Sequence, residues 1–174
     1  MIRSGALEAL SRRLALNPGR AAALAQRAAD SGALPKAAGR NIPELSARDL
    51  MRLLLAVTAD RGLGNAAPTV LEFEELRTDD GIALGATLES IIRGDVSPAA
   101  YAHGGLIFRL RPAGATLIAN DVRLTFGAAV PEGRAAKSVS VPGAVLAAVA
   151  LELRGYSPTE ADTEIDALIG DQLD

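Results

Sequence analysis

The spacing of apolar residues changes twice along this chain, and that change restricts the fold more than any other feature of the sequence. Up to about residue 93, apolar residues recur every three or four positions, as in amphipathic helices. Between residues 106 and 126 they alternate with polar residues, as in strands with one buried face. Helical spacing returns after Pro142. The pattern predicts an α+β fold with N-terminal helices, a small antiparallel sheet and a C-terminal helix.

A helix-turn-helix is predicted near the N-terminus. The first helix begins at Ser4, its N-cap, and extends to residue 16. Asn17-Pro18 marks the start of the second helix, because asparagine caps helices and proline is tolerated at the first helical position. Gly32 is placed to end that helix in a left-handed conformation, with Leu34 folded back onto its end.

A third helix completes the predicted N-terminal domain. Ser46 and Asp49 form a capping-box pattern, and the helix that follows to Asp60 has a broad apolar face. Glycine and asparagine at residues 62–65 then indicate a boundary. We therefore expect a DNA-binding domain of residues 1–63 and an α+β oligomerisation or partner domain of residues 64–174.

The second half of the chain is predicted to hold a helical pair, a small sheet and a closing helix. The predicted elements are helices at 66–77 and 82–93, strands at 106–111, 118–126 and 138–141, and a helix at 142–153. Asn120-Asp121 interrupts the second strand, where we expect a β-bulge. The inward side chains of that strand are expected to be Ile118, Val122, Leu124 and Phe126.

Charge is distributed unevenly between the two halves. Residues 1–63 contain ten basic and five acidic residues, a net charge of +5, whereas residues 64–174 have a net charge of −8. Such an asymmetry indicates one end that binds a polyanion and one that must not. A chance difference between solvated helix faces is the other interpretation. Because the basic half coincides with the helix-turn-helix, we expect duplex DNA as the partner.

The second helix carries the side chains expected to read DNA. A helix-turn-helix places its second helix in the major groove, where arginine binds guanine and glutamine binds adenine. Arg20, Gln26 and Arg27 lie toward the open face of this helix. The expected phosphate contacts are Arg12, Arg13, Lys36 and Arg40, on either side of it. An alanine-rich helical hairpin with solubilising arginines is the alternative.

The residue types that catalysis requires are scarce. The chain has no cysteine, and a histidine site would depend on His103 alone, in a loop. Neither a phosphate-binding Gly-x-x-x-x-Gly-Lys loop nor a nucleophile paired with a base is evident. We therefore expect no enzyme, cofactor or metal site. Without an apolar run of membrane-spanning length or a signal peptide, a cytoplasmic location is the default, in a host cell if the protein is phage-encoded.

Two segments resemble proteins of alphaproteobacterial phages and prophages. They are LAQRAADSGALPK at 24–36 and LSARDLMRLLLA at 45–56, on either side of a loop with Gly39-Arg40. Those proteins have an N-terminal helix-turn-helix of this form, followed by a strand pair and a closing helix. The resemblance implies DNA binding.

Among phage proteins of this size, the layout is most similar to the small terminase subunit. In that family a helix-turn-helix finds the packaging site, a central helical pair builds a ring, and a C-terminal segment engages the large, ATP-consuming subunit. The resemblance implies a homo-oligomer whose ring is built by the helices at 66–77 and 82–93. The helix at 142–153 departs from the family pattern. A dimeric transcriptional regulator is the alternative function, and an interaction protein without a nucleic-acid role is the third.

The C-terminal tail is acidic and amphipathic. Residues 157–174 contain six acidic residues and no basic one. An apolar edge recurs along it, formed by Ile165, Leu168, Ile169 and Leu173. A helix this short is only marginally stable in isolation, so its apolar edge is expected to pack into a groove. We expect it to dock on a partner such as the large terminase subunit; packing on its own domain is the alternative.

Overall fold

Seven helices and a four-stranded antiparallel sheet form the fold in the part of the chain that the structure, a computed structural model, describes: residues 1–36, 43–129 and 136–170. The helices are α1 Arg3–Arg13, α2 Pro18–Asp30, α3 Ala47–Thr58, α4 Ala66–Glu74, α5 Leu84–Arg93, α6 Gly143–Leu153 and α7 Pro158–Gly170. The strands are β1 Gly105–Arg109, β2 Gly114–Ala119, β3 Val122–Phe126 and β4 Ser138–Pro142. The α+β prediction is confirmed.

Local signals set the ends of α2 and α3 as expected. The Asn17 side chain accepts the backbone N–H of Arg20, and Pro18 is the first residue of α2. Gly32 adopts φ +80°, and Leu34 is buried behind it. At the start of α3, Ser46 and Asp49 form the reciprocal capping box.

Helix α1 differs from its predicted form at both ends. Its N-cap is Ile2, which makes no side-chain capping bond, so the prediction for Ser4 was wrong. Backbone pairing of Ile2 with Glu44 holds the chain at this point instead. The helix ends at Arg13, and Ala15 turns the chain with φ +50° before α2 begins. A four-residue turn, 14–17, therefore joins α1 to α2, as in a helix-turn-helix.

The sheet has the strand order β3-β2-β1-β4, with every neighbouring pair antiparallel. The predicted bulge at Asn120-Asp121 was wrong: these residues form the turn between β2 and β3, with Asn120 at φ +48°. The predicted inward position of Ile118 was also wrong. Leu117 pairs with Leu124 and is buried, and the alternation of the strand puts Ile118 on the opposite face.

One hydrophobic core extends across both halves of the chain. Its members run from Ala6 in α1 to Ile165 in α7, and nearly every residue of α3 from Leu50 to Thr58 is buried. Helix α3 packs against α4 and α5, and α1 packs against α6. The core is therefore continuous where a domain boundary was predicted at residues 62–65.

The helical pair and the tail both pack within the chain. The pair expected to build a ring, α4 and α5, buries Val70, Phe73 and Leu88 against α3 and the sheet, and the Phe73 ring meets Phe108 edge to face at 5.8 Å. Tail helix α7 packs on α6 and buries Ala161 and Ile165. Leu173 lies outside the described residues. Of the predicted apolar edge, Ile165 is buried against its own chain and Leu168 packs partly buried on the core, whereas Ile169 is exposed. No helix within the described ranges is long and apolar enough to cross a membrane.

Candidate nucleic-acid interface

Helix α2 presents one open face beside the turn that joins it to α1. At about 100° per residue, Gly19, Ala22 and Gln26 fall on one exposed arc, and Arg20 and Arg27 share its edge. The opposite side, with Leu24 and Ala28, is buried against the other helices. The open face is therefore composed of small residues at its centre and arginine along one edge. This arrangement allows close approach of a ligand to the helix.

Arg20 is held by an acid from the end of α3. Its Nε donates to Asp60 Oδ2 at 2.8 Å and its Nη2 to Oδ1 at 3.0 Å, a bidentate pair. The Asp60 carboxylate also accepts the backbone N–H of Gly62 at 2.7 Å. Partial burial raises the pKa of Asp60, but these hydrogen bonds outweigh it and the pKa is lowered. Asp60 therefore stays ionised and fixes the direction of Arg20.

The other residues predicted to contact DNA from α2 and the loop after it differ in how many partners they have within the protein. Gln26 accepts a hydrogen bond from Arg3 at 3.2 Å and donates one to Asp30 at 2.8 Å. Lys36 lies 3.6 Å from Asp30 and is mostly exposed. Arg27 is exposed and makes no side-chain hydrogen bond or ion pair with any described residue. Arg40 lies outside the described residues.

Arg12 and Arg13 face the C-terminal half of the chain. Both bind the carboxylate of Glu152, which is only 3% exposed; Arg13 Nε donates to it at 2.6 Å. Arg13 also binds Asp162 of α7 at 2.5 Å. Desolvation lowers the pKa of Arg13, but these two carboxylates outweigh it and raise the pKa. The predicted phosphate contacts are therefore engaged in pairs that join α1 to α6 and α7.

Ion pairs between arginines of the first half and acids of the second half occur at other positions as well. Arg48 and Arg52 of α3 both bind the buried carboxylate of Glu74, and Arg61 binds Glu72. Of the nine basic residues in 1–63 that the structure describes, five thus pair with acids from the second half of the chain. Much of the charge asymmetry in the sequence reflects attraction between the two halves, an interpretation that sequence reasoning did not consider.

A basic cleft that sequence reasoning missed lies beside the N-terminus of α2. Its volume is about 440 Å³, and the lining includes four cations and one acid: Arg20, Arg61, Arg111, Lys137 and Asp60. The backbone N–H of Leu110 donates to the carbonyl of Lys137 at 2.8 Å, which brings the end of β1 against the chain entering β4. No linear signal could have revealed this cleft, because its cations come from four separate segments.

The residue types that could support catalysis or metal binding are the last features to place. His103 is exposed in the turn before β1. Within the described ranges, no group of three or more histidine, cysteine or acidic side chains is arranged to hold a metal ion.

Comparisons of the chain with protein-family models, with curated proteins and with solved structures found no match.

Proposed function

We propose that this protein binds duplex DNA through the α1–turn–α2 unit. The observation that carries the proposal is the open face of α2, with small residues at its centre and Arg20 and Arg27 along one edge. A helix of this form fits a major groove, where guanidinium groups bind guanine and a side-chain amide binds adenine.

The cations available to DNA agree only in part with those expected. Arg27 is free among the described residues, Lys36 is largely exposed, and Arg20 lies at the start of α2. Arg111 and Lys137 add positive charge beside that start. Arg12 and Arg13 contribute mainly to the fold, because freeing them leaves a buried carboxylate without partners.

For the biological role, the small terminase subunit remains our proposal and a dimeric transcriptional regulator its alternative. A terminase role requires a closed ring of many subunits, whereas a regulator requires a two-fold dimer on a palindromic site. The mass of the full chain in solution separates the two. Because α4 and α5 pack on α3, a ring would have to use their outer sides, where Leu71 of α4 is exposed, together with Ile82 just before α5.

The DNA proposal is tested by titrating the full chain against a fluorescent duplex at several salt concentrations. We expect affinity to fall as salt rises, because phosphate contacts release counterions. Arg27→Gln should weaken binding about tenfold, the loss of one charge-assisted contact. Arg123→Gln is the matched control, since Arg123 is an exposed arginine on β3, the edge strand farthest from β4. Absence of binding at low salt, or equal affinity for both variants, contradicts the proposal.

A further inference from the structure

We infer that the basic cleft beside the N-terminus of α2 is a binding site for a phosphate group. Arg20, Arg111 and Lys137 reach it from three segments, Arg61 lines it while its own guanidinium binds Glu72 and Thr69, and Asp60 is the acid among its lining residues. Arg111 and Lys137 are both exposed, and neither forms an ion pair with a described residue. Guanidinium and ammonium groups converging on a concave surface match the several oxygens of a phosphate.

The backbone around the cleft favours an anion as well. Asn17 and Arg20 belong to the first turn of α2, whose N–H groups have no intrahelical acceptors, and Asn17 satisfies that of Arg20. Arg20 thus places the start of α2, where the helix dipole attracts negative charge, at the edge of the cleft.

A second hollow adjoins the cleft and gives room for the group that carries the phosphate. It has a volume of about 250 Å³ and shares Arg20, Asp60 and Lys137 with the cleft. Its walls are largely apolar side chains from the α1–α2 turn, α2, α3 and β4, namely Leu16, Leu24, Val57 and Val139. Thr58 also lines it, and the buried hydroxyl of this residue has no hydrogen-bond partner among the described residues. The combination suits a phosphate attached to a larger, partly apolar body such as a sugar.

Asp60 competes with the ligand for Arg20. The carboxylate occupies both donors of the guanidinium edge, Nε and Nη2. A phosphate that enters the cleft takes over that edge and meets the negative charge of Asp60. Neutralising this acid should therefore strengthen phosphate binding, whereas neutralising a cation should weaken it.

The phosphate has two possible sources, the DNA backbone or a soluble phosphate compound. With DNA as the source, the inference extends the proposed function, since the cleft lies next to the open face of α2. With a soluble compound, the cleft is a separate ligand site. The experiment therefore uses inorganic phosphate and a short duplex as separate probes of the full-length chain.

The test follows backbone amide signals of Gly62 and Lys137 while each probe is titrated at constant ionic strength, with chloride as the reference anion. Lys137→Gln and Arg111→Gln should each weaken binding about tenfold, and Arg123→Gln should leave it unchanged. Asp60→Asn should tighten binding severalfold, while Asp121→Asn, in the turn at the opposite end of the sheet, should not. Thermal melting of each variant shows that it is folded.

The outcomes separate the two proposals. If duplex binds but the five cleft and control variants behave alike with both probes, the cleft inference is wrong and the DNA proposal stands. If inorganic phosphate binds and the cleft variants respond while duplex does not bind, the inference stands and the DNA proposal fails. The inference is overturned if phosphate changes the chemical shifts of the two amide signals no more than chloride does and the cleft variants do not affect duplex binding.

Discussion

Tyr101 is the largest side chain that the core encloses completely, and its hydroxyl finds no hydrogen-bond partner among the described residues. Burial raises the pKa of this phenol to about 12, although the charge of Arg154 opposes the shift. A buried hydroxyl without a partner has lost its bonds to water without replacement. At this position the aromatic ring stabilises the core and the oxygen does not.

Tyr101→Phe is therefore expected to leave the free energy of unfolding at pH 7 unchanged or to raise it by about 1 kcal/mol, since it removes an unsatisfied polar atom and little volume. Urea denaturation measures this. A loss of more than about 1 kcal/mol would mean that the hydroxyl has a partner.

The same residue makes stability depend on alkaline pH. Because the folded-state pKa lies above the ordinary value of 10.0, the contribution of Tyr101 is complete below pH 10 and is lost as pH rises toward 12. Stability should therefore fall less steeply over this range in Tyr101→Phe than in the wild type. Tyr156→Phe is the matched control, because Tyr156 is 42% exposed. Identical pH profiles for the wild type and Tyr101→Phe would contradict the assignment.

Between elements, paired arginines on buried carboxylates join helices that are distant in sequence. Glu152 of α6 receives Arg12 and Arg13 of α1, and Glu74 of α4 receives Arg48 and Arg52 of α3. Desolvating a carboxylate costs several kcal/mol, which bidentate or double pairing offsets. The main effect of these contacts is therefore to specify which helices pack together, and their net contribution to stability is small.

Arg13→Gln should destabilise the protein by about 3 kcal/mol, because it leaves the buried Glu152 with a single cationic partner. Arg93→Gln is the control: Arg93 forms exposed pairs with Glu89 and Asp95, so its loss should cost no more than about 1 kcal/mol. Chemical denaturation measures both variants. Combining Arg13→Gln with Glu152→Gln should cost less than the sum of the single changes, and strict additivity would argue against the coupling.

Helix and strand ends could be predicted from the sequence where the signal is local. They could not be predicted where the structure depends on pairing between strands or between residues distant in sequence. Capping at Asn17 and Ser46 was foreseen because each cap acts on residues within the next turn. Asn120-Asp121 was misjudged because a bulge and a turn share residue preferences, and strand register decides between them. The prediction was least accurate at the candidate site, because Glu152, the partner of Arg12, lies 140 positions away in the sequence.

At the scale of the molecule, the two halves share one core and complementary charge. Helix α3 is buried almost all round because α4 and α5 cover what a three-helix domain would leave exposed. Helix α1 likewise needs α6, which supplies both apolar contact and Glu152. Residues 62–65 remain a natural turn in the chain, but the packing on either side of them is continuous.

A fragment of residues 1–63 should therefore not fold on its own. It would expose the sides of α3 and α1 that α4, α5 and α6 cover in the full chain, and would carry its net charge of +5 without the acids that pair with it. Helices of this length are marginal in isolation, so circular dichroism should show little helix and no cooperative melting. The full chain should melt in a single cooperative transition. A fragment with native-like helix content and its own transition would show that residues 1–63 are an independent domain, and DNA binding could then be assigned to that domain directly. An unfolded fragment that still binds DNA at low salt would reveal only the attraction of free arginines for phosphate. For this reason the DNA titration uses the full chain.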